Sequence, residues 1–375
     1  MKGDGKRVKG RDGAMAEGAA GGEESPDPAL PRPTSPVPCH RPMIVLGIET
    51  SCDETAVALL RGGREVVANL VYSQTNLHAR YGGVMPEAAS RDHVRKLPGL
   101  LDEALAAAGT GWGEVELVGV TYGPGLVGPL LVGIAHAAGI ALAREVPLVG
   151  VNHLAAHLFA HKLSEPEVAP PFLGLIVSGG HTLLVAVPQW GQYKVVGTTR
   201  DDAAGEALDK VGRLLGLGYP AGPRMDELAQ QGDPAAIPFP RPLIESGLDM
   251  SFAGLKTAAV YWVRDHPSTP VSDLCASYLA AVVDVLTEKA VRAARRLSLN
   301  RIVVVGGVAA SRRLREVLPA RAREREIAVS FPPPSLCTDN AAIVAACAHH
   351  RFTALGHRGS LALMPEPNLS IDGWI

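Results

Sequence analysis

Twice in this chain an apolar run, a short polar turn and a second apolar run follow one another: "MIVLGIETSCDETAVALL" at 43–60 and "FLGLIVSGGHTLLVAV" at 172–187. Each reads as a β-hairpin, because apolar runs of this length bounded by small polar residues favour strands. In the second, Gly179 and Gly180 are expected to supply the positive φ angles of a tight turn. A third place, "RIVVVGGVAASRRLREVL" at 301–318, reads as a buried strand, a Gly-Gly turn and an amphipathic helix. Between the hairpins, "LVGVTYGPGLVGPLLVGIAHAAGIAL" at 117–142 adds a strand, a Gly/Pro loop and a small-residue helix. Strands alternating with helices predict an α/β fold.

The repeated hairpin predicts two similar lobes, 43–165 and 166–375, and 375 residues are enough for two. Hairpins facing each other across an interlobe cleft offer backbone N–H groups to a phosphate chain, and Gly306–Gly307 opens a helix beside an anion or nucleoside. The layout is similar to that of actin, Hsp70 and the sugar kinases, whose active-site cleft lies between lobes. An ordinary doubly wound sheet with glycine turns is the alternative. Aromatic residues are only 5%, so the core must be built from Ala, Val and Leu. A net charge of −2 gives no global footprint for nucleic acid, so RNA would need a local basic patch or a partner. The five cysteines (Cys39, Cys52, Cys275, Cys337, Cys347) are odd in number and form no CxxC. That predicts a reducing compartment without a disulfide framework or structural zinc. Residues 1–42 are rich in Gly, Pro and charge and lack a signal-peptide core. They are expected to be disordered, or to precede a true start at Met43. No other segment approaches 18 unbroken apolar residues, which predicts a soluble cytoplasmic protein with no membrane contact.

"VNHLAAHLFAH" at 151–161 places histidines at i, i+4 and i+8 of an apolar helix. His153 and His157 project from one side, a bidentate arrangement for a first-row metal, whereas His161 drifts round by roughly 80° and is expected to be exposed. Such a pair also occurs as plain core histidines. A metalloprotease needs Glu directly after the first His, and Leu154 stands there. A third ligand is required, and Asp339 in "CTDNAA" is a candidate that spacing alone does not fix. Two His and a carboxylate suit Fe(II) first and Zn(II) second.

"GIETSCDETAVALL", "NHLAAHL", "VSGGHTLL", "DDAAGEALDKVGRLLGLGYPAGP", "MSFAGLKTA", "VVGGVAASRRLR" and "CTDNAA" occur in that order between Gly47 and Ala342. Together they resemble the bacterial tRNA N6-adenosine threonylcarbamoyltransferase family, once labelled O-sialoglycoprotein endopeptidases, over everything but the tail. The resemblance implies transfer of threonylcarbamoyl from threonylcarbamoyl-AMP, made by a separate synthase, to N6 of adenosine 37 in tRNAs reading codons that begin with A. AMP leaves. It implies a smaller inactive paralogue and a P-loop ATPase subunit as partners. It also implies His153, His157 and Asp339 as ligands of an iron, Ile176, Val177, Ser178, Gly179 and Gly180 as the substrate-binding hairpin, and Asp209, Gly222 and Asp226 at the nucleoside and ribose. Where the family often has a substrate-binding Asn, this chain has Ser311, which keeps a hydroxyl bond but not an amide's paired donor and acceptor.

The chemistry is acyl transfer from a mixed anhydride, so no covalent nucleophile is needed. A metal and backbone N–H groups would stabilise charge, and a carboxylate would take the N6 proton. Asp53 and Glu54 on the first hairpin are the candidates for that base, the alternative being a solvated turn. Cys52 is expected to pack as a small hydrophobe. His181 either approaches phosphate or satisfies backbone, Lys210 is expected to pair with Asp209, and Lys256 and the basic run at 311–326 are expected to be mainly solvated rather than bound to tRNA. An actin-like ATPase has no need of the imidazole pair, and an inactive paralogue would be expected to lack the ligands.

Overall fold

A computed structural model describes residues 42–357 and 359–374. The expected disorder of the extension therefore concerns residues that, Pro42 apart, lie outside those described. The first sheet comprises β1 (Ile44–Glu49), β2 (Glu54–Arg61) and β3 (Glu65–Ser73). Two helices, α1 (Thr75–Ala79) and α2 (Pro86–Ala107), then lead to β4 (Val115–Gly123), α3 (Val127–Arg144) and β5 (Leu148–Asn152). The strand order is β3-β2-β1-β4-β5, antiparallel through β1–β2–β3 and parallel at β1–β4–β5.

After α4 (His153–Phe159) the same pattern recurs. β6 (Phe172–Val177), β7 (Thr182–Gln189) and β8 (Gln192–Thr198) form an antiparallel meander. Four helices follow: α5 (Ala204–Leu214), α6 (Gly222–Ala229), α7 (Ala253–Asp265) and the long α8 (Val271–Arg296). β9 (Arg301–Val305), α9 (Arg312–Arg323) and β10 (Ala328–Ser330) complete the sheet as β10-β9-β6-β7-β8, parallel at β6–β9–β10. The short α10 (Pro334–Cys337) and α11 (Ala341–Thr353) end the regular elements. β1, β4, β6 and β9 are mostly apolar and buried, with Glu116 on β4 exposed, as parallel crossovers covered by helices require.

The chain does not keep its halves apart. α11 lies in the second half of the sequence but packs on β1, β2, β4, β5 and α4. It joins α4 and the facing sides of both sheets in one core that includes Ala58, Val151, Phe159, Ile176, Val303 and Val344. The approach is close enough to demand glycine. A Cβ on Gly47 would stand 2.3 Å from the Ala341 carbonyl oxygen, and one on Gly119 would stand 2.4 Å from the Ala348 Cβ. Beyond α11 the segment at 366–373 runs across both sheets. Glu366 N–H donates to Tyr122 O on β4 at 2.8 Å, and Gly373 N–H donates to Tyr193 O on β8 at 3.2 Å. Asn152 Nδ2 donates to Ser370 O at 3.1 Å.

α2 explains itself by its stripe. Ala89, His93, Leu97, Leu101, Ala104 and Leu105 are its buried positions, spaced as a helix of 3.6 residues per turn requires, with Pro86 in the first turn where its missing N–H costs nothing. One polar residue, His93, sits inside that apolar row.

Enlarging the contact points of α11 tests this packing. Gly47→Val and Gly119→Val should each lower stability by about 1–3 kcal/mol through overpacking. Urea unfolding midpoints unchanged in both variants would contradict the close approach.

Candidate active site

α4 begins directly at the carboxyl end of β5, where Asn152 caps it by accepting from the Leu154 and Ala155 N–H groups at 2.9 and 3.2 Å. That cap sets His153 as the first helical residue and His157 one turn on. From the other side, Asp339 precedes Asn340, whose side chain caps α11 by accepting from the Ile343 N–H. Two capped helix starts thus deliver three side chains to one point. One ligand atom from each of His153, His157 and Asp339 lies within 4.8 Å of the others. Asp339 Oδ1 stands 3.2 Å from His157 Nε2 and 3.7 Å from His153 Nε2.

Behind the pair stands a residue that sequence reasoning missed. Glu49, the last residue of β1, is buried and lies 3.1 Å from His153 Nδ1. It accepts further bonds from Thr121 Oγ1 at 2.6 Å and from the Ser51 N–H at 2.5 Å. This fixes the His153 proton on Nδ1 and turns the Nε2 lone pair toward Asp339, as a ligating histidine requires. The only signal in the sequence was a carboxylate closing an apolar strand.

The electrostatics follow from these contacts. Burial alone would depress His153, but Asp339 and Glu49 together raise its pKa to about 9. Burial opposes the Asp339 carboxylate, yet His153, His157 and His181 hold it well below the usual range. Glu49, despite its burial, is lowered by His153. Fully buried His157 has both ring nitrogens without a hydrogen-bond partner; the Asp339 contact is an ion-pair approach without hydrogen-bond alignment. An orphaned buried group costs about 1–3 kcal/mol, which a coordinated cation would remove. Two imidazoles directed at one carboxylate, with the His153 proton there open to replacement by a cation, therefore fit a divalent first-row ion, with positions left open.

The first hairpin turns its acids toward this point. Burial, then the charges of Asp339 and Asp53, push the Glu54 carboxyl well above the carboxylate range, and a cation beside Asp339 would draw it back down. Asp53 and Glu54 are both half-buried, and burial followed by smaller contributions that include the Asp53 charge raises Asp209 and Tyr219 in the second half of the chain. Burial and Asp53 push the Cys52 thiol far up, which leaves it a packing residue.

In the second hairpin Ile176 and Val177 are wholly buried, so only their backbone can meet a ligand. Ser178, Gly179 and Gly180 form the turn, closed by the Ser178 N–H donating to His181 O at 2.8 Å. Neither glycine has a positive φ, contrary to expectation; a four-residue turn does not need one, and a Cβ on either would meet nothing within 4 Å. Their smallness leaves space. Gly306 instead takes the positive φ, 94°, with Val177 O where its Cβ would be. Gly205 N–H donates to Ser178 O at 3.2 Å, which ties α5 and hence Asp209 to the turn. Asp209 Oδ1 accepts from Ala221 N–H at 2.8 Å and from Gly222 N–H at 3.4 Å at the start of α6. Asp226 on α6 accepts from Ser311 Oγ at 2.7 Å and from Arg312 N–H at 3.2 Å. The structure thus joins Asp209 to Gly222 and Asp226 to Ser311.

Other expectations are corrected. His161 is buried rather than exposed: α4 stops at Phe159, and the following turn carries the ring inward, 3.4 Å from Ser330 Oγ. Lys210 pairs with Asp202 and Glu206, not Asp209, because residue 206 lies one turn before it on α5. Lys256 also pairs with Asp202. His181 is half-buried, and burial followed by the His153 and His157 charges lowers it to about 4, a neutral imidazole beside the cluster.

Residues 65–346 match the family described as tRNA N6-adenosine threonylcarbamoyltransferase. A protein of that name from Anaeromyxobacter dehalogenans is 52% identical over 328 residues, 86% of this chain and 98% of the relative. Another from Thermotoga neapolitana is 49% identical over 330 residues, 88% of this chain and 100% of the relative. Among solved structures, HypF from T. kodakarensis is similar with a TM-score of 0.58 at 13% identity, over 85% of this chain and 49% of that one. The (R)-2-hydroxyglutaryl-CoA dehydratase component A of Acidaminococcus fermentans gives 0.51 at 15%, over 82% and 98%. These neighbours share the two-sheet fold of the actin, Hsp70 and sugar-kinase class.

His153 has a folded pKa above the ordinary imidazole value of 6.5, so its stabilisation of the metal-free fold is complete below that value and fades as pH rises through about 9. A bound cation replaces that proton. Calorimetric titration with Fe(II) or Zn(II) should therefore show affinity strengthening from pH 7 toward 9 with release of about one proton, and His157→Ala should abolish stoichiometric binding. Affinity that is flat with pH would count against the cluster as a metal site.

Proposed function

The chain belongs to the tRNA N6-adenosine threonylcarbamoyltransferase family, and from that membership we propose the detailed reaction. The threonylcarbamoyl group of threonylcarbamoyl-AMP passes to the N6 amine of adenosine 37 in tRNAs reading codons that begin with A, with release of AMP. The observation that carries this reading is the convergence of His153, His157 and Asp339, with Glu49 of the first hairpin bonded to His153.

N6 attacks the carbamoyl carbon, the bond from that carbon to the phosphate oxygen breaks, and AMP departs with the oxygen. A divalent ion, Fe(II) first and Zn(II) second, held by His153, His157 and Asp339, supplies Lewis-acid polarisation of donor oxygens. The open turn at Ser178–Gly180 gives the phosphate and acyl group room and backbone donors. Asp209 and Gly222 at the α6 start, with Asp226 and Ser311, hold the nucleoside. Ser311 already bonds Asp226, so a single hydroxyl must divide its capacity between protein and ligand. Asp53 or Glu54 takes the proton that leaves N6.

A separate synthase supplies the adenylate, and a smaller inactive paralogue and a P-loop ATPase subunit complete the system. What supports a protein partner is α3. It has the length and apolarity of a membrane span, with mean hydropathy 1.5. One side packs on β4 and α2, while Val127, Leu131 and Leu142 are exposed on the other. We assign that face to a subunit rather than to lipid and place the reaction in the cytoplasm with its tRNA.

Reconstitution with metal, threonylcarbamoyl-AMP, unmodified tRNA and partner subunits, read by nucleoside mass spectrometry, decides the matter. Wild type should yield threonylcarbamoyladenosine, and His153→Ala should reduce turnover at least about 100-fold by removing charge stabilisation. Transfer that survives loss of both imidazoles would overturn the role of the metal.

A further inference from the structure

His93 is the polar interruption in the apolar stripe of α2, and it is fully buried. Both of its ring nitrogens are engaged, and both partners belong to the first hairpin. Thr55 Oγ1 lies 2.7 Å from Nδ1, and Cys52 O lies 3.0 Å from Nε2. A carbonyl only accepts, so Nε2 carries the proton and Nδ1 accepts from the Thr55 hydroxyl. Burial lowers the pKa of the ring, in keeping with this neutral form. The two contacts straddle Asp53 and Glu54 on either side. A third bond, from Gln74 N–H to Asp53 O at 2.9 Å, closes the same turn from behind. A buried imidazole in a helix stripe has to be compensated, and here both of its bonds go to one four-residue turn.

We infer that His93 is a positioning residue for the reaction: its two bonds fix the Cys52–Thr55 turn so that the Asp53 and Glu54 carboxylates face the cation and the acceptor amine. The inference rests on the reading of those carboxylates as the proton acceptor. The bonds of the His93 ring go to Thr55 and Cys52, not to His153, His157 or Asp339. A loose turn would leave donor binding intact, since Ser178–Gly180, Asp209 and Asp226 belong to other elements, and would degrade the geometry of proton removal.

The test uses the full chain, metal-loaded and with its partner subunits, in steady-state transfer from threonylcarbamoyl-AMP to unmodified tRNA. His93→Ala should lower kcat by about 10- to 100-fold, as misplacement of about 1 Å does, with KM for both substrates and the bound metal unchanged. Side-chain reach separates two rescues. The amide of His93→Gln extends to the Nε2 position and can donate to Cys52 O but does not reach Thr55, so kcat should recover in part, to the level of Thr55→Val. That of His93→Asn stops near Nδ1, reaches only Thr55, and should not recover. Thr55→Val, which keeps shape and removes the hydroxyl, should also lower kcat and provides the decision if His93→Ala does not fold. Unchanged kcat in the folded variants, equal behaviour of Gln and Asn, or a fall in kcat that follows loss of metal would overturn the inference. Asp53→Asn and Glu54→Gln, assayed in parallel, separate the two levels: full activity in both would remove the carboxylate reading itself, whatever His93 does.

Discussion

The bond between Glu49 and His153 is the constraint on which the rest of the site depends. A carboxylate at the closed end of an apolar strand is costly unless its charge is matched, and here one imidazole, one hydroxyl and one backbone N–H match it. That compensation dictates the tautomer of His153 and so the direction of its free lone pair. Asp339 arrives from the far end of the sequence to share the same imidazole. Two acids held by one ring, with a second ring lacking any hydrogen bond, make a pocket whose charges balance best around a cation. The packing of α4 and α11 between the sheets brings these groups together, so the hydrophobic core and the His–His–Asp cluster share one set of elements.

The repeated architecture was legible because its cause is local. Apolar runs of strand length with small turns, and a Gly-Gly turn before an amphipathic row, each depend on neighbours in sequence. The twofold occurrence of one strand order follows from that grammar. What was not legible was α11. Its first eight residues, all Ala, Ile, Val or Cys, say only that it is buried, not against what. The answer lies in Gly47 and Gly119, which carry no sign in the sequence of what they approach. The core around α11 thus takes residues from both sides of position 165.

The site divides in the same way. The His153–His157 spacing is a property of one helix and could be read directly, whereas Asp339 needed the family resemblance, because a separation of nearly 200 residues holds no local signal. Gly179 and Gly180 differ in kind: the turn needs a positive φ from neither, and their missing Cβ atoms leave it open. His161 was misplaced because periodicity was extended past the point where α4 ends. Lys210 was assigned the adjacent acid, although an i,i+4 neighbour and Asp202 offer better geometry. Glu49 and His93 escaped attention since each sits in an apolar pattern, where a single polar residue reads as noise until its partners are seen.

Asn152 holds both the start of α4 and a carbonyl that lies 218 residues further along. During synthesis the ribosome therefore releases His153 and His157 long before Asp339 and Ser370. Until Asp339 is made, the emerging chain displays two imidazoles without the acid that completes their cluster. A chain that stops before Asp339 lacks both the acid of the cluster and the carbonyl that Asn152 binds.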